Sequence, residues 1–549
     1  ILRLRLWSGP GPAGNTTCDS GYWGDPVIVV GAHPQPPSPD DWQRREDAAI
    51  YAAASAAAGR VSDGAFELSG PLGPFGAAIV LGPSGLPDAV LAFSDGKQTL
   101  AYHGFCLEID GLDCADWRSG ARVSAVDSRV SRSRMRVTHH VETPTGTLLA
   151  RVEIGCRQGA LTVAFSMPGT DRDGRGTPRF TRLGLGPAST PIRRAYLGFG
   201  NVVEGIEAPF TVSGGGFGLS TRHVGADYTN GVSLLQATDI YPDRVTCDPE
   251  THLFRIETPH DATFLFIPAT GGAFAAARHY RDLNGFKPGK GVRKLLGRMC
   301  LDQWGGDYLE AAADLKRAAD YGLNHSIFVK HAWQRWGYDY RLPEIYPPAG
   351  GLEPFKTMAD TCRTNGMLFA PHDNYIDYYP DAEGFSYDHI IFNADGTPQR
   401  AWLNEGRQAQ SYRWLPHGFS PWLKRNMTSM RNGFAPTGLF IDVFSAIPML
   451  DYYDRGGRYY TRERTTKEWR AAFDTSRRIF GRGAPMLSEA GHDALIGSLD
   501  GAQSDHLSAD RWGIRAHAAT RTPWHDMATH GRFVLLAGAS CCIRAGKST

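Results

Sequence analysis

Two short apolar runs in this chain each stop on a carboxylate. Thr437–Asp442 (TGLFID) and Ala484–Glu489 (APMLSE) have the pattern of buried strands, with one helix and little else between them. In a parallel β/α barrel the C-terminal strand ends share one mouth, so carboxylates on successive strands face the same cavity. Such a pair can break a glycosidic bond: an ionised carboxylate attacks the anomeric carbon while a protonated one protonates the leaving oxygen, ~5 to 5.5 Å apart in retaining enzymes. The competing reading is that Asp442 caps a loop and Glu489 meets a buried Arg. Burying a carboxylate at the end of an apolar strand without a use for it is costly, which favours chemistry. Asp442, shorter and stiffer, suits the nucleophile; Glu489 can reach the leaving group as acid and then base.

Two further segments carry polar and aromatic groups that the same mouth could use. Lys330–Asp339 (KHAWQRWGYD) follows an apolar strand and supplies His331, Trp333 and Asp339 as substrate contacts, with Arg335 the simplest salt-bridge partner. Pro371–Tyr379 (PHDNYIDYY) follows the next strand and supplies His372, Asp373, Asn374 and Tyr375. Together with Asp381 this loop offers oxygen ligands to a hard cation such as calcium, although its spacing is not that of an EF-hand. Asp505 and His506 form a later pair in which the acid could orient the ring or hold a substrate hydroxyl. The segments contain no GxSxG elbow, phosphate-binding GxxxxGK[ST] loop or HExxH helix, so serine-hydrolase, P-loop and zincin chemistries lack their parts. Gly214–Gly218 (GGGFG) is flanked by β segments rather than by a strand and a helix, so the simplest reading is a turn.

The elements needed to position these groups can be traced along the chain. From about residue 290, apolar strands alternate with amphipathic helices, which predicts a parallel βα fold. Strands are expected at Leu295–Leu301, His325–Lys330, Met367–Ala370, before Asp442, before Glu489, at Ala502–Leu507 and at Phe533–Ala537. Asp307 with Glu310, Ser420–Pro421 and Thr465–Glu468 are expected helix starts. No eighth strand can be found, so the predicted (β/α)8 TIM-type barrel is either a fragment or irregular at its C-terminal end. Before the linker Phe286–Gly291, short alternating runs separated by Gly, Pro, Asp and Ser predict a β-sandwich, with one long hairpin over Arg134–Ile154 and one helix over Glu46–Ala58. The expected organisation is thus a β-sandwich domain over 1–290 and a catalytic barrel over 291–549.

Composition narrows the partner. Basic and acidic residues nearly cancel, at 58 against 57, which argues against a nucleic-acid partner or an anionic membrane surface. There is no apolar run long enough to span a bilayer. Thirteen Trp and 21 Tyr supply flat faces suited to sugar rings, though aromatic residues more often build cores. Nine cysteines without CxxC spacing imply neither a disulfide framework nor a zinc site. The chain starts at Ile1 without a charged-then-apolar leader, and its compartment stays open.

The segments KHAWQRWGYDYRLPEIYPP (330–348), PHDNYIDYYPD (371–381), GLFIDVFSAIP (438–448) and LSEAGHDALIGSLDGAQSDHL (487–507) resemble the barrel of glycoside hydrolase families 101 and 129. Those families are retaining α-N-acetylgalactosaminidases acting on mucin-type O-glycans, with a β-sandwich before the barrel. The resemblance implies Asp442 as nucleophile, Glu489 as acid/base and Asp339 as anchor for a substrate hydroxyl, with a carbohydrate substrate and no organic cofactor. An α-galactosidase-like specificity, a transglycosylase using the same acids and a non-catalytic glycan-binding protein are the alternatives.

Overall fold

The computed structural model describes residues 66–68, 75–82, 84–130, 134–168, 180–198, 201–503, 518–522 and 524–536. The expected helix at Glu46–Ala58 and the pair Asp505 and His506 lie outside the described residues.

Through residue 269 the described chain is almost entirely strand, as the short runs of β-branched and aromatic residues dictate. The expected hairpin forms: Arg134–Thr143 pairs with Gly146–Arg157, and Thr143 faces Gly146 across the two-residue turn. Its return strand turns Ala150, Val152 and Ile154 inward and leaves Leu149 exposed, the period-2 alternation of a half-buried strand. The hairpin belongs to a ten-stranded antiparallel sheet, and three smaller sheets accompany it. One apolar cluster joins residues of the large sheet, such as Val163, Phe264 and Phe266, to Phe93, Phe105, Leu183 and Ile256 of the smaller ones. At one edge the large sheet gains a strand from far along the chain, Ala518–Arg521, paired with Asn201–Glu204.

The second half contains seven parallel strands in chain order: β1 (Met299–Gln303), β2 (Ser326–Lys330), β3 (Leu368–Asp373), β4 (Leu439–Ile441), β5 (Met486–Glu489), β6 (Gly501–Gln503) and β7 (Val534–Leu536). They make a nearly closed barrel, and among the described residues β7 and β1 do not pair. Helices α1 (Tyr308–Asp320), α2 (Leu352–Thr364), α3 (Ser420–Phe434) and α4 (Arg462–Phe480) follow the first four strands. Alternate residues of the strands feed two separate apolar clusters. Cys300, Ile327, Val329, Leu368, Ala370, Phe440 and Leu487 meet in one, while Leu301, Phe328, Phe369, Leu439, Ile441 and Met486 meet the helices in the other. No helix among the described residues is long and apolar enough to cross a membrane.

Three boundaries differ from expectation. The first strand was expected at Leu295–Leu301, but Gly297 takes φ +72°, so Val292–Leu295 closes as a helical turn and the strand begins at Met299. Ser420, expected as N-cap, already lies inside α3, whose first turn accommodates Pro421 because its missing N–H is not needed there. Thr465–Glu468, expected as a capping box, also lies inside its helix. The start of α4 is set from a distance: Asp451 accepts the Arg462 N–H at 2.7 Å and pairs with its guanidinium at 2.6 Å, while Thr465 Oγ1 donates back to Leu450 O at 2.7 Å. By contrast Asp307 caps α1 as expected, accepting from Leu309 and Glu310 N–H.

The glycine-containing linker is held in place under the barrel. Buried Asp500 accepts from Gly291 N–H at 3.0 Å and Met486 N–H at 2.8 Å, and pairs with buried Arg477 at 2.7 Å. A Cβ on Gly289 would come within 2.0 Å of Asp500 Oδ1, which explains glycine there. Asp500→Ala leaves buried Arg477 with the half-exposed Asp474, 3.0 Å away, as its remaining carboxylate and unties the Gly291 and Met486 N–H groups, so the expected cost is ~2 to 3 kcal/mol, read as a lower urea midpoint. An unchanged midpoint would remove this pair from the stabilising contacts.

Candidate active site

The barrel registers bring the C-terminal ends of β1 to β6 to one level. Gln303 faces Lys330, Asp373 faces Ile441, Ile441 faces Ser488 and Glu489 faces Gln503. Asp442 is the next residue after Ile441, so Asp442 and Glu489 follow a matched pair on strands ~4.8 Å apart. Extending the inward alternation by two residues from Cys300, Val329, Ala370, Phe440 and Leu487 reaches Asp302, His331, His372, Asp442 and Glu489. Ring contacts agree: His331 and His372 lie 4.7 Å apart, and both pack on Phe440.

His372 is the electrostatic centre. Its Nε2 lies 3.2 Å from Asp442 Oδ2 and its Nδ1 3.7 Å from Asp339 Oδ1, all three residues being buried. Burial opposes the charged ring, but Asp339 and Asp442 outweigh it and raise the imidazole to about 9. Burial likewise works against ionised Asp442, yet His372, His331 and the Tyr338 hydroxyl, which donates at 3.2 Å, hold its carboxyl below the usual range. Asp339 goes the other way: burial, with the nearby carboxylates of Asp442 and Asp377, pushes it up to about 7 despite His372. The Gln334 amide lies 2.9 Å from His372 Nδ1 and 3.2 Å from Asp339 Oδ1; turning over, it can accept from a protonated ring or donate to a bare one. Donor atoms of Asp339, His372 and Asp442 fall within 4.8 Å of one another, the spacing of a cation site. In its protonated form the His372 ring supplies a positive charge between Asp339 and Asp442.

Of the residues expected to touch substrate, the structure gathers some and moves others behind the site. Asp442, Glu489, His331, His372 and Asp339 converge. Trp333 does not: it is wholly buried against Phe355 and Phe434, and its Nε1 donates to the His372 carbonyl at 2.7 Å. Tyr375 is also interior, stacked on Phe419, with its hydroxyl accepting from Asn426 at 3.0 Å. Asp373 follows His372 on the strand and therefore points to the other side; burial lifts it to about 7. Asn374 is consumed by the scaffold, donating to Asp339 at 2.9 Å and Asp377 at 2.7 Å and accepting from Ile376 N–H at 2.7 Å. Trp333, Asp373, Asn374 and Tyr375 thus shape the groups that face the cavity rather than facing it themselves. Of the acids considered for calcium, Asp377 accepts from Trp402 N–H and Ser411 Oγ, and Asp381 from the Tyr340 hydroxyl.

Sequence reasoning missed Asp302, Trp304, Tyr338, Gln334 and Trp402. Asp302 carries the same signal as Asp442, a carboxylate ending an apolar strand, but the misplaced first strand concealed it. It lies 2.8 Å from His331 Nε2 and accepts from Trp304 Nε1 at 2.8 Å. Trp304 is stacked flat on His331 at 4.2 Å yet 54% exposed; Trp402, 44% exposed, meets Tyr338 edge-on at 6.2 Å. Two open indoles therefore flank the Tyr338 that touches Asp442.

Backbone strain marks the same place. Val443 and Ala490, the residues immediately after the two acids, have φ of +66° and +58°. For a β-branched residue such as Val443 this is a genuine outlier, and strain of this kind gathers at functional sites.

No protein-family model matches the sequence, and no curated protein matches it. Among solved structures the chain is similar to the α-N-acetylgalactosaminidase NagBb from Bifidobacterium bifidum. With the GalNAc complex the TM-score is 0.67 at 15% identity, covering 85% of this chain and 84% of that one. With the ligand-free form it is 0.66 at 16% identity, covering 86% and 85%. The likeness spans the antiparallel sheets as well as the barrel. In fold, this chain resembles the α-N-acetylgalactosaminidases of glycoside hydrolase families 101 and 129.

Proposed function

We propose that the protein is a retaining α-glycosidase acting on α-N-acetylgalactosaminides of O-glycans, with residues 291–549 as its catalytic part. The observation that carries the proposal is the pairing of Asp442, held ionised by His372, with Glu489 on the adjacent in-register strand. Adjacent strand ends can hold two carboxyl groups at the ~5 to 5.5 Å that direct attack by a carboxylate requires, and this register supports the retaining reading. Asp442 attacks the anomeric carbon while Glu489 gives its proton to the leaving oxygen. Glu489, now ionised, takes a proton from water, which attacks the same carbon and releases Asp442. Asp339 acts through His372, keeping the imidazole charged beside the nucleophile, and the Trp304 and Trp402 faces bind the sugar. The likeness to NagBb supports α-GalNAc as the sugar. The decisive experiment is hydrolysis of a panel of aryl α- and β-glycosides, including α-GalNAc and α-galactoside. Release from α-GalNAc alone supports the proposal; release only from α-galactoside moves the specificity, and silence with binding on a glycan array replaces the enzyme with a glycan-binding protein.

The buried charge centre also predicts a pH dependence of stability. His372 is raised on folding, so the folded protein holds more protons than the unfolded chain around it. Its contribution is complete below 6.5 and lost as the pH rises through about 9, and raised Asp339 acts with the same sign near 7. A rise from 6.5 to about 9 corresponds to ~3 kcal/mol. The stability difference between wild type and His372→Asn should therefore shrink by about that amount between pH 6.5 and 9.5 in urea titrations. A constant difference would show that the ring is not charged.

A further inference from the structure

The glycine-rich turn Gly214–Gly218 belongs to the antiparallel half, yet it lies against the loops that follow the two acids. Gly216 N–H donates to Ala446 O at 2.8 Å. A Cβ on Gly216 would come within 2.0 Å of Ser445 O, 2.8 Å of Ala490 Cβ and 3.0 Å of Gly491 N. Two of these are backbone atoms and the third is fixed to the backbone, so no side chain fits unless the acid-bearing loops move. The next contact is apolar, with Phe217 packing on Ala446 and Ala490. The turn is itself anchored: Gly215 N–H donates to the Tyr241 hydroxyl at 2.9 Å, that hydroxyl donates to Leu219 O, and Asp493 N–H donates to Ser220 O at 3.0 Å.

What the turn presses on is a clasp between the two loops. Ser445 Oγ donates to Glu489 O at 2.7 Å, Ser445 N–H donates to Ser488 Oγ at 3.1 Å, and Gly491 N–H donates to Ser445 O at 3.2 Å. Strained Val443 and Ala490 sit on either side of it. Such conformations cost ~1 to 3 kcal/mol each and persist only where the surroundings over-determine them. The clasp and the turn provide that constraint at Ala490, the residue whose φ sets the direction in which the chain leaves Glu489.

We propose that Gly216 is a positioning residue. By packing without a side chain on Ser445 and Ala490, it fixes the backbone of Glu489 and therefore the place from which its carboxyl delivers a proton. The antiparallel half thereby takes part in catalysis without touching substrate. This rests on the assignment of Glu489 as acid/base.

The test uses the full chain with Gly216→Ala and, should that variant fail to fold, Ser445→Ala, which only removes the hydroxyl that holds Glu489 O. A misplacement of ~1 Å can cost ~10²-fold, so kcat should fall by about that factor on α-glycosides with poor leaving groups. The loss on activated aryl glycosides should stay below ~10-fold, because their departure needs little protonation. Azide should restore turnover on the activated substrates, since it forms its C–N bond as the bond to the Asp442 carboxylate breaks and needs no base. Ser445→Ala should show the same pattern with a smaller loss. Equal losses on both substrate types without azide rescue would overturn the proposal and indicate a purely structural turn. If wild type cleaves no glycoside, the functional assignment fails, and crystal structures decide the positioning: a displaced Glu489 carboxyl in Gly216→Ala supports it, and an unmoved one overturns it.

Discussion

Asp442→Asn is expected to lower kcat by at least ~10⁴-fold, on the order of 5 kcal/mol of barrier, while the circular dichroism of the fold is retained. The amide keeps the shape of the carboxylate and can still accept from the Tyr338 hydroxyl and from His372. What it lacks is the negative charge that these neighbours concentrate on Oδ2. Without it there is no nucleophile to form the glycosyl-enzyme bond. The measurement is release from the best α-glycoside of the panel by wild type and variant in parallel. Wild-type-like turnover would remove Asp442 from the mechanism.

Glu489→Gln is expected to separate substrates by leaving group. General acid catalysis contributes ~10² to 10⁴-fold, so aglycones that must be protonated should slow by that factor. Aryl glycosides with good leaving groups should form the glycosyl-enzyme almost normally and then accumulate it, because Gln cannot activate water. A burst of released phenol followed by slow turnover is the signature. Equal losses on both substrates, with no burst, would count against the acid/base role.

The barrel was legible because its signals are local. Strand, turn and helix alternate with distinct apolar periods, and a strand occurs within a few residues of each of the seven expected places, the ends of the expected sixth and seventh, after Gln503 and Leu536, lying outside the described residues. Asp442 and Glu489 could be found because each ends an apolar run. Asp302 could have been found the same way had Gly297 been recognised as the break before β1. Other departures arose where a distant residue supplied what a local one normally does. Asp451 replaces the expected cap of α4, and Asp500 fixes a linker whose glycines alone suggest freedom. Trp333 and Tyr375 were misplaced because an aromatic residue has the same sequence signature whether it faces sugar or core.

The sequence by itself determined that Asp442 and Glu489 end apolar strands and that a run of β structure precedes a βα barrel, because both follow from residue periodicity over a few positions. Only the tertiary structure decided that His372 lies between Asp442 and Asp339, that Asn374 serves the scaffold, and that the Gly214–Gly218 turn reaches the acid-bearing loops. Those relations join residues tens to hundreds of positions apart. They depend on strand register, on the side of the strand each residue faces and on the charge left uncompensated by burial, and these are fixed when the elements pack rather than when each one forms.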